Sequence, residues 1–85
     1  MPYDIEFSRQ AFEGIGNAPQ KNASQIARAI TERLTADPIG LGKPLQGKYK
    51  GYRRLRVGDW RVIYMVEDGR VVIHDIVLRR DAYQA

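Results

Sequence analysis

The last half of the chain permits few folds. Three apolar-rich runs, Tyr52–Val57, Trp60–Val66 and Val71–Leu78, are separated by nothing more than Gly58-Asp59 and Asp68-Gly69. Asp-Gly is a strong two-residue hairpin signal and Gly-Asp a moderate one. The three runs therefore read as consecutive antiparallel strands. Ahead of them, Tyr3–Phe7 alternates apolar and polar side chains, as a short strand does. Ser8 suits the N-cap of a short helix with Ala11, Phe12 and Ile15 on one face, ended by Gly14, Gly16 and Asn17. Pro19 suits the first turn of a second helix reaching about Ala36. Its apolar positions Ala23, Ile26, Ala27, Ile30 and Leu34 lie three and four apart, and Asp37-Pro38 stops it. Residues 38–51 hold Pro38, Gly40, Gly42, Pro44, Gly47 and Gly51 and read as a long loop, a feature often functional in a small domain. The order is β-α-α-β-β-β. It predicts one α+β domain over residues 1–85, with two N-terminal helices on one face of a mostly antiparallel four-stranded sheet.

Composition narrows the function. The 85 residues include no cysteine and one histidine. Disulfide scaffolds, thiol chemistry, Cys-ligated zinc and multi-His metal sites are excluded, and no cofactor motif is present. The apolar runs are too short to span a bilayer, and Met1-Pro2-Tyr3-Asp4 lacks the pattern of a signal peptide. The expected setting is the cytoplasm. A chain this short buries only about 60–65% of its unfolded surface, so it must either fold on a compact, locally consistent core or lean on a partner.

The net charge of +4 is unevenly spread. Residues 43–61 carry Lys43, Lys48, Lys50, Arg53, Arg54, Arg56 and Arg61 against Asp59 alone, while the segments on either side are each net negative. A polyanion or an acidic protein would be drawn to that stretch.

Two-residue turns fix a register. Val57 then faces Trp60, Arg56 faces Arg61, Leu55 faces Val62 and Arg54 faces Ile63. Across the second turn, Val66 faces Val71, Tyr64 faces Ile73, Ile63 faces His74 and Arg61 faces Ile76. Alternation puts Leu55, Val57, Trp60, Val62, Tyr64, Val66, Val71, Ile73 and Val77 under the helices, with Asp75 as a misfit. The other face receives Tyr52, Arg54, Arg56, Arg61, Ile63, Met65, Val72, His74, Ile76 and Leu78. Like charges paired across strands are destabilising. A bound anion is the simplest reason to keep Arg56 opposite Arg61, because guanidinium is always charged and forks onto phosphate. The alternative is neutralisation by Asp59, Glu67 or a C-terminal group. His74 shares this face and is of the residue type that ordinarily titrates near neutrality. Tyr49 and Tyr52 interleave with Lys48, Lys50 and Arg53, an arrangement that can stack on bases or simply pin the loop.

Three segments carry a family resemblance: Lys43-Pro44-Leu45, the run Gly51-Tyr52-Arg53-Arg54-Leu55-Arg56-Val57-Gly58-Asp59-Trp60-Arg61-Val62-Ile63-Tyr64, and the ending Leu78-Arg79-Arg80-Asp81-Ala82-Tyr83. Together they resemble the RelE/ParE toxin superfamily, and the terminal tyrosine after an arginine pair resembles its RelE type. The resemblance implies the toxin of a type II toxin–antitoxin pair. RelE-type toxins enter the ribosomal A site and cut messenger RNA; ParE-type toxins poison DNA gyrase without nuclease chemistry. By resemblance, Arg61, Arg54, Arg79 and Tyr83 are the catalytic positions. Lys48, Lys50, Tyr52, Arg56, His74 and Arg80 are the RNA-binding ones. Tyr52 stands where the family often has a second basic residue. The implied partners are a cognate antitoxin, the ribosome and its messenger.

RNA cleavage by such a site uses the 2′-hydroxyl as nucleophile on the adjacent phosphate. Arg61 and Arg54 suit the charge that builds on phosphorus. Arginine hardly ever gives up its proton, so the base is Tyr83, His74, Lys48 or Lys50. The resemblance points to Tyr83, with Arg79 assisting the leaving 5′-oxygen. A gyrase inhibitor and an RNA-binding module without activity are the competing readings.

Overall fold

In the computed structural model, which describes residues 2–78, Ser8 caps a helix as its position predicts. Its hydroxyl accepts a hydrogen bond from the Ala11 N–H at 3.0 Å and donates one to the His74 carbonyl at 2.7 Å. The cap thus starts α1 (Arg9–Asn17) and pins its first turn to the sheet just after β1 (Asp4–Phe7). Ala11 is fully buried and Ile15 half-buried, four residues apart on one face. Phe12 does not join them. It is 68% exposed, because one residue turns about 100° around a helix.

The second helix begins after Pro19 and runs as α2 (Gln20–Ala29), then widens into a π-turn over Ile30–Leu34. The bond that closes the wide turn runs from the Thr35 N–H to the Ile30 carbonyl, five residues back. In a plain α-helix, positions four apart drift around the axis by about 40° per step. The wider turn compensates, so Ile26, Ile30 and Leu34 all stay buried on one stripe. Ala23 is half-buried and Ala27 exposed, which narrows the predicted stripe; Ala29 is buried instead.

The segment expected to be a loop is built. Asp37 accepts from the Gly40 N–H and caps α3 (Pro38–Leu41), so Asp37-Pro38 starts a helix as well as stopping one. A two-residue strand β2 (Lys43–Pro44) and a 3₁₀ turn (Gly47–Tyr49) follow. Then come β3 (Arg53–Val57), β4 (Trp60–Glu67) and β5 (Arg70–Leu78). The sheet has five strands in the order β1-β5-β4-β3-β2, with β1 parallel to β5 and the other pairs antiparallel. The added strand is β2, too short to leave an alternating pattern in the sequence. Asp68 and Gly69 both take positive φ, as the tight turn between β4 and β5 requires.

The helices pack on one face. Ala11, Ile26, Ala29, Ile30 and Leu34 meet Leu55, Val57, Val62, Tyr64, Val71, Ile73 and Ile76 in one core. At its margin the Tyr64 hydroxyl donates to the Pro38 carbonyl, and the Arg53 guanidinium donates to the Ile39 and Gly42 carbonyls at 2.6 and 3.1 Å. Gly42 has to be glycine, because a Cβ there would overlap the Tyr64 hydroxyl. This network straps α3 and β2 to the sheet. Burial pushes the Tyr64 hydroxyl above its ordinary value of 10.0, so the folded state holds the neutral phenol. That contribution is complete below pH 10 and is lost as pH rises through the raised value. Tyr64→Phe should cost about 1–3 kcal/mol, since it strands a buried carbonyl, and should lower the melting temperature by several degrees. Melts at neutral and alkaline pH check both statements: the variant's deficit should shrink as pH climbs past 10.

Candidate nucleic-acid interface

The hairpin between β3 and β4 has the expected register. Arg56 is opposite Arg61, Arg54 opposite Ile63 and Leu55 opposite Val62. Arg61 is 5% exposed, and its other neighbour across the sheet is Val77 of β5. Arg54 is half-buried and Arg56 exposed. Glu67, one of the carboxylates expected to neutralise this face, bonds Arg70 at 3.4 Å instead. Among the described residues, Asp59 forms no ion pair with Arg54 or Arg56. Two guanidinium groups therefore stand on one ladder rung, Arg61 buried and Arg56 exposed.

The second hairpin departs from expectation at one residue. Val66 faces Val71 and Tyr64 faces Ile73 as expected, but a bulge at His74 then shifts the pairing. Ile63 faces Asp75 rather than His74, and Arg61 faces Val77 rather than Ile76. The extra residue removes the misfit that strict alternation produced. Ile76 drops into the core at 2% exposure in place of Val77. Asp75 leaves the apolar face: its carboxylate accepts from Gln10 at 2.5 Å and from the Ile76 N–H at 2.9 Å. Nothing in the sequence marks the bulge except the misplaced aspartate.

The bulged His74 lies against the Tyr52 ring, with centroids 4.8 Å apart and planes tilted by 37°. Tyr49 meets Tyr52 edge-on at 6.4 Å, and the Lys48 ammonium sits 5.6 Å from the centre of the Tyr49 ring. A short aromatic ladder thus leads from the 3₁₀ turn onto the sheet. Lys48 and Lys50 are exposed on that turn. Arg53, counted with the basic stretch in the sequence, turns toward α3 and is structural. Lys43, overlooked as a site residue, stands opposite Arg54 across β2 and β3. Arg79, Arg80 and Tyr83 lie outside the described residues.

Charged, planar guanidinium groups on a sheet face, flanked by stacked rings, suit a phosphate with a base beside it. A family model for the ParE toxin of type II toxin–antitoxin systems matches residues 5–83. The chain belongs to the RelE/ParE toxin superfamily. Toxin RelE of Mycobacterium tuberculosis is 33% identical over 85 residues, spanning 98% of this chain and 88% of that protein. The toxin–antitoxin complex RelBE2 of the same organism contains a chain that superposes with a TM-score of 0.87 at 26% identity, covering 93% of this chain and all of that one. YafQ in the Escherichia coli DinJ–YafQ complex shares the fold, with a TM-score of 0.76 at 24% identity over 99% of this chain. The superfamily's layers account for the α+β architecture, and no helix among the described residues is long and apolar enough to cross a membrane.

Proposed function

We propose that this toxin is a ribosome-dependent endoribonuclease that cuts messenger RNA in the A site. The observation that carries the reading is the Arg56–Arg61 rung, with Arg54 beside it and the Tyr52–His74 stack, Tyr52 just ahead of β3 and His74 on β5. The 2′-hydroxyl attacks the neighbouring phosphorus and loses its proton to the Tyr83 phenolate. Arg61 and Arg54 hold the charge that builds on the phosphoryl oxygens. The P–O5′ bond breaks, leaving a 2′,3′-cyclic phosphate, and the leaving 5′-oxygen, to which the Arg79 guanidinium donates a hydrogen bond, takes a proton from water to become the 5′-hydroxyl. Tyr52 and His74 stack against a base, with Lys48, Lys50, Arg56 and Arg80 along the backbone. A site so poor in ordinary acid–base groups needs a partner to orient the substrate, which is the ribosome's part.

The cognate antitoxin is the second partner. Phe7, Phe12, Ile39 and Leu41 are exposed by 37, 68, 54 and 38%, so a small acidic and apolar protein would cover surface that the lone domain leaves in water. Work at the ribosome places the protein in the cytoplasm.

The description of the matching family favours a second reading, a gyrase inhibitor without nuclease activity. Induction in cells separates the two. New messenger 5′ ends at A-site codons with unchanged plasmid supercoiling support the nuclease. Relaxed plasmid with intact messenger supports the gyrase inhibitor.

A further inference from the structure

A cleft of about 210 Å³ opens beside the arginine face, lined by Arg33, Leu41, Lys43, Arg54, Leu55 and Arg56. Its four cations come from three places in the fold. Arg33 rides on the π-turn, Lys43 on β2, and Arg54 and Arg56 on β3. Arg33 belongs to the net-negative first half of the sequence, so no charge run foretells its arrival here. Wide helical turns occur often at functional sites. Among the described residues, no carboxylate lines the cleft. The nearest acidic neighbour in sequence, Glu32, is 4.0 Å from Arg28.

We propose that this cleft binds a backbone phosphate of single-stranded RNA, one step along the strand from the phosphate held at Arg61. Four positive charges around one opening repel each other, and an anion between them removes the repulsion. Arginine forks fit the paired oxygens of a phosphodiester, and Lys43 adds a point charge. Leu55 is buried, at 4% exposure, so Leu41, exposed by 38%, is the one apolar side chain the cleft offers a partner, against four cations. Recognition there is ionic. Arg56 belongs both to the cleft and to the Arg61 rung, so an extended strand can run from one to the other. Arg33 and Lys43 are then binding residues that position the strand, and the inference rests on the nuclease reading for its substrate.

The test uses the full chain and its Arg33→Gln/Lys43→Gln variant; both side chains are exposed, and a thermal melt verifies the fold. The probe is a short single-stranded RNA whose 2′-O-methyl groups block cleavage, titrated over a salt series. The slope of log affinity against log salt should become shallower by about 0.7 for each phosphate that the variant no longer neutralises. Arg33→Lys should keep the wild-type slope because it keeps the charge. An unchanged slope in the double variant overturns the inference. So does a variant that loses polyglutamate binding while its RNA slope stays intact, since the cleft would then be a protein site. A wild-type chain that shows the cleft-dependent slope yet never cuts messenger leaves this inference standing and removes the nuclease reading. A chain that cuts, with a slope indifferent to the cleft, does the reverse.

Discussion

Arg61→Ala should lower the rate of ribosome-bound messenger cleavage by a factor on the order of 10²–10³ while the protein still folds cooperatively. That is the usual loss when one preorganised donor to a developing oxyanion is removed. Arg61 is buried and opposite Arg56, so it cannot be replaced by a counterion drifting in from solvent. A sheet optimised for stability alone would place an apolar or oppositely charged residue on that rung. Arg61 is buried and has interactions within the fold, so the substitution also removes packing, and the rate is compared at a temperature where a melt shows the variant folded. Arg61→Lys should fall between the two in rate, because it keeps the charge and loses the fork. Single-turnover cleavage with a parallel melt reads both quantities. A folded Arg61→Ala protein that cuts at the wild-type rate would remove this face from the chemistry.

Tyr83→Phe should lose a factor on the order of 10²–10⁴ in the same assay, with RNA affinity unchanged. Phenylalanine keeps the ring and removes only the hydroxyl. A tyrosine that merely packs or stacks would lose about 1 kcal/mol or less. The role rests on the resemblance carried by the Arg79-Arg80-Asp81-Ala82-Tyr83 ending. A variant that cuts normally would move the proton acceptor to His74, which Tyr52 already holds against the sheet, or to Lys48 or Lys50.

The elements visible in the sequence were those specified by local chemistry. Two turns at Gly58-Asp59 and Asp68-Gly69 set the strands, and the Arg56–Arg61 rung followed from counting. Ser8 declared its cap. What escaped was set by tertiary packing. The π-turn exists to keep Leu34 on the core stripe, and β2 is stabilised by its pairing with β3 and by the Arg53–Tyr64 strap rather than by its own two residues. The His74 bulge follows from Asp75, whose charge could not be buried under the helices. At the site, the basic face and its arginines were legible. The Tyr52–His74 stack and the arrival of Arg33 beside Lys43 needed the chain to be folded first.

Whether this face cuts messenger RNA on the ribosome can be read in a single turnover, with purified protein mixed with ribosomes carrying a defined messenger. The expected product is one cut within the A-site codon, ending in a 2′,3′-cyclic phosphate and a new 5′-hydroxyl. It should be absent without ribosomes and, over the time of one wild-type turnover, absent with Arg61→Ala. Messenger left intact by a folded wild-type protein, with DNA gyrase inhibited in a parallel reaction, would contradict the nuclease assignment.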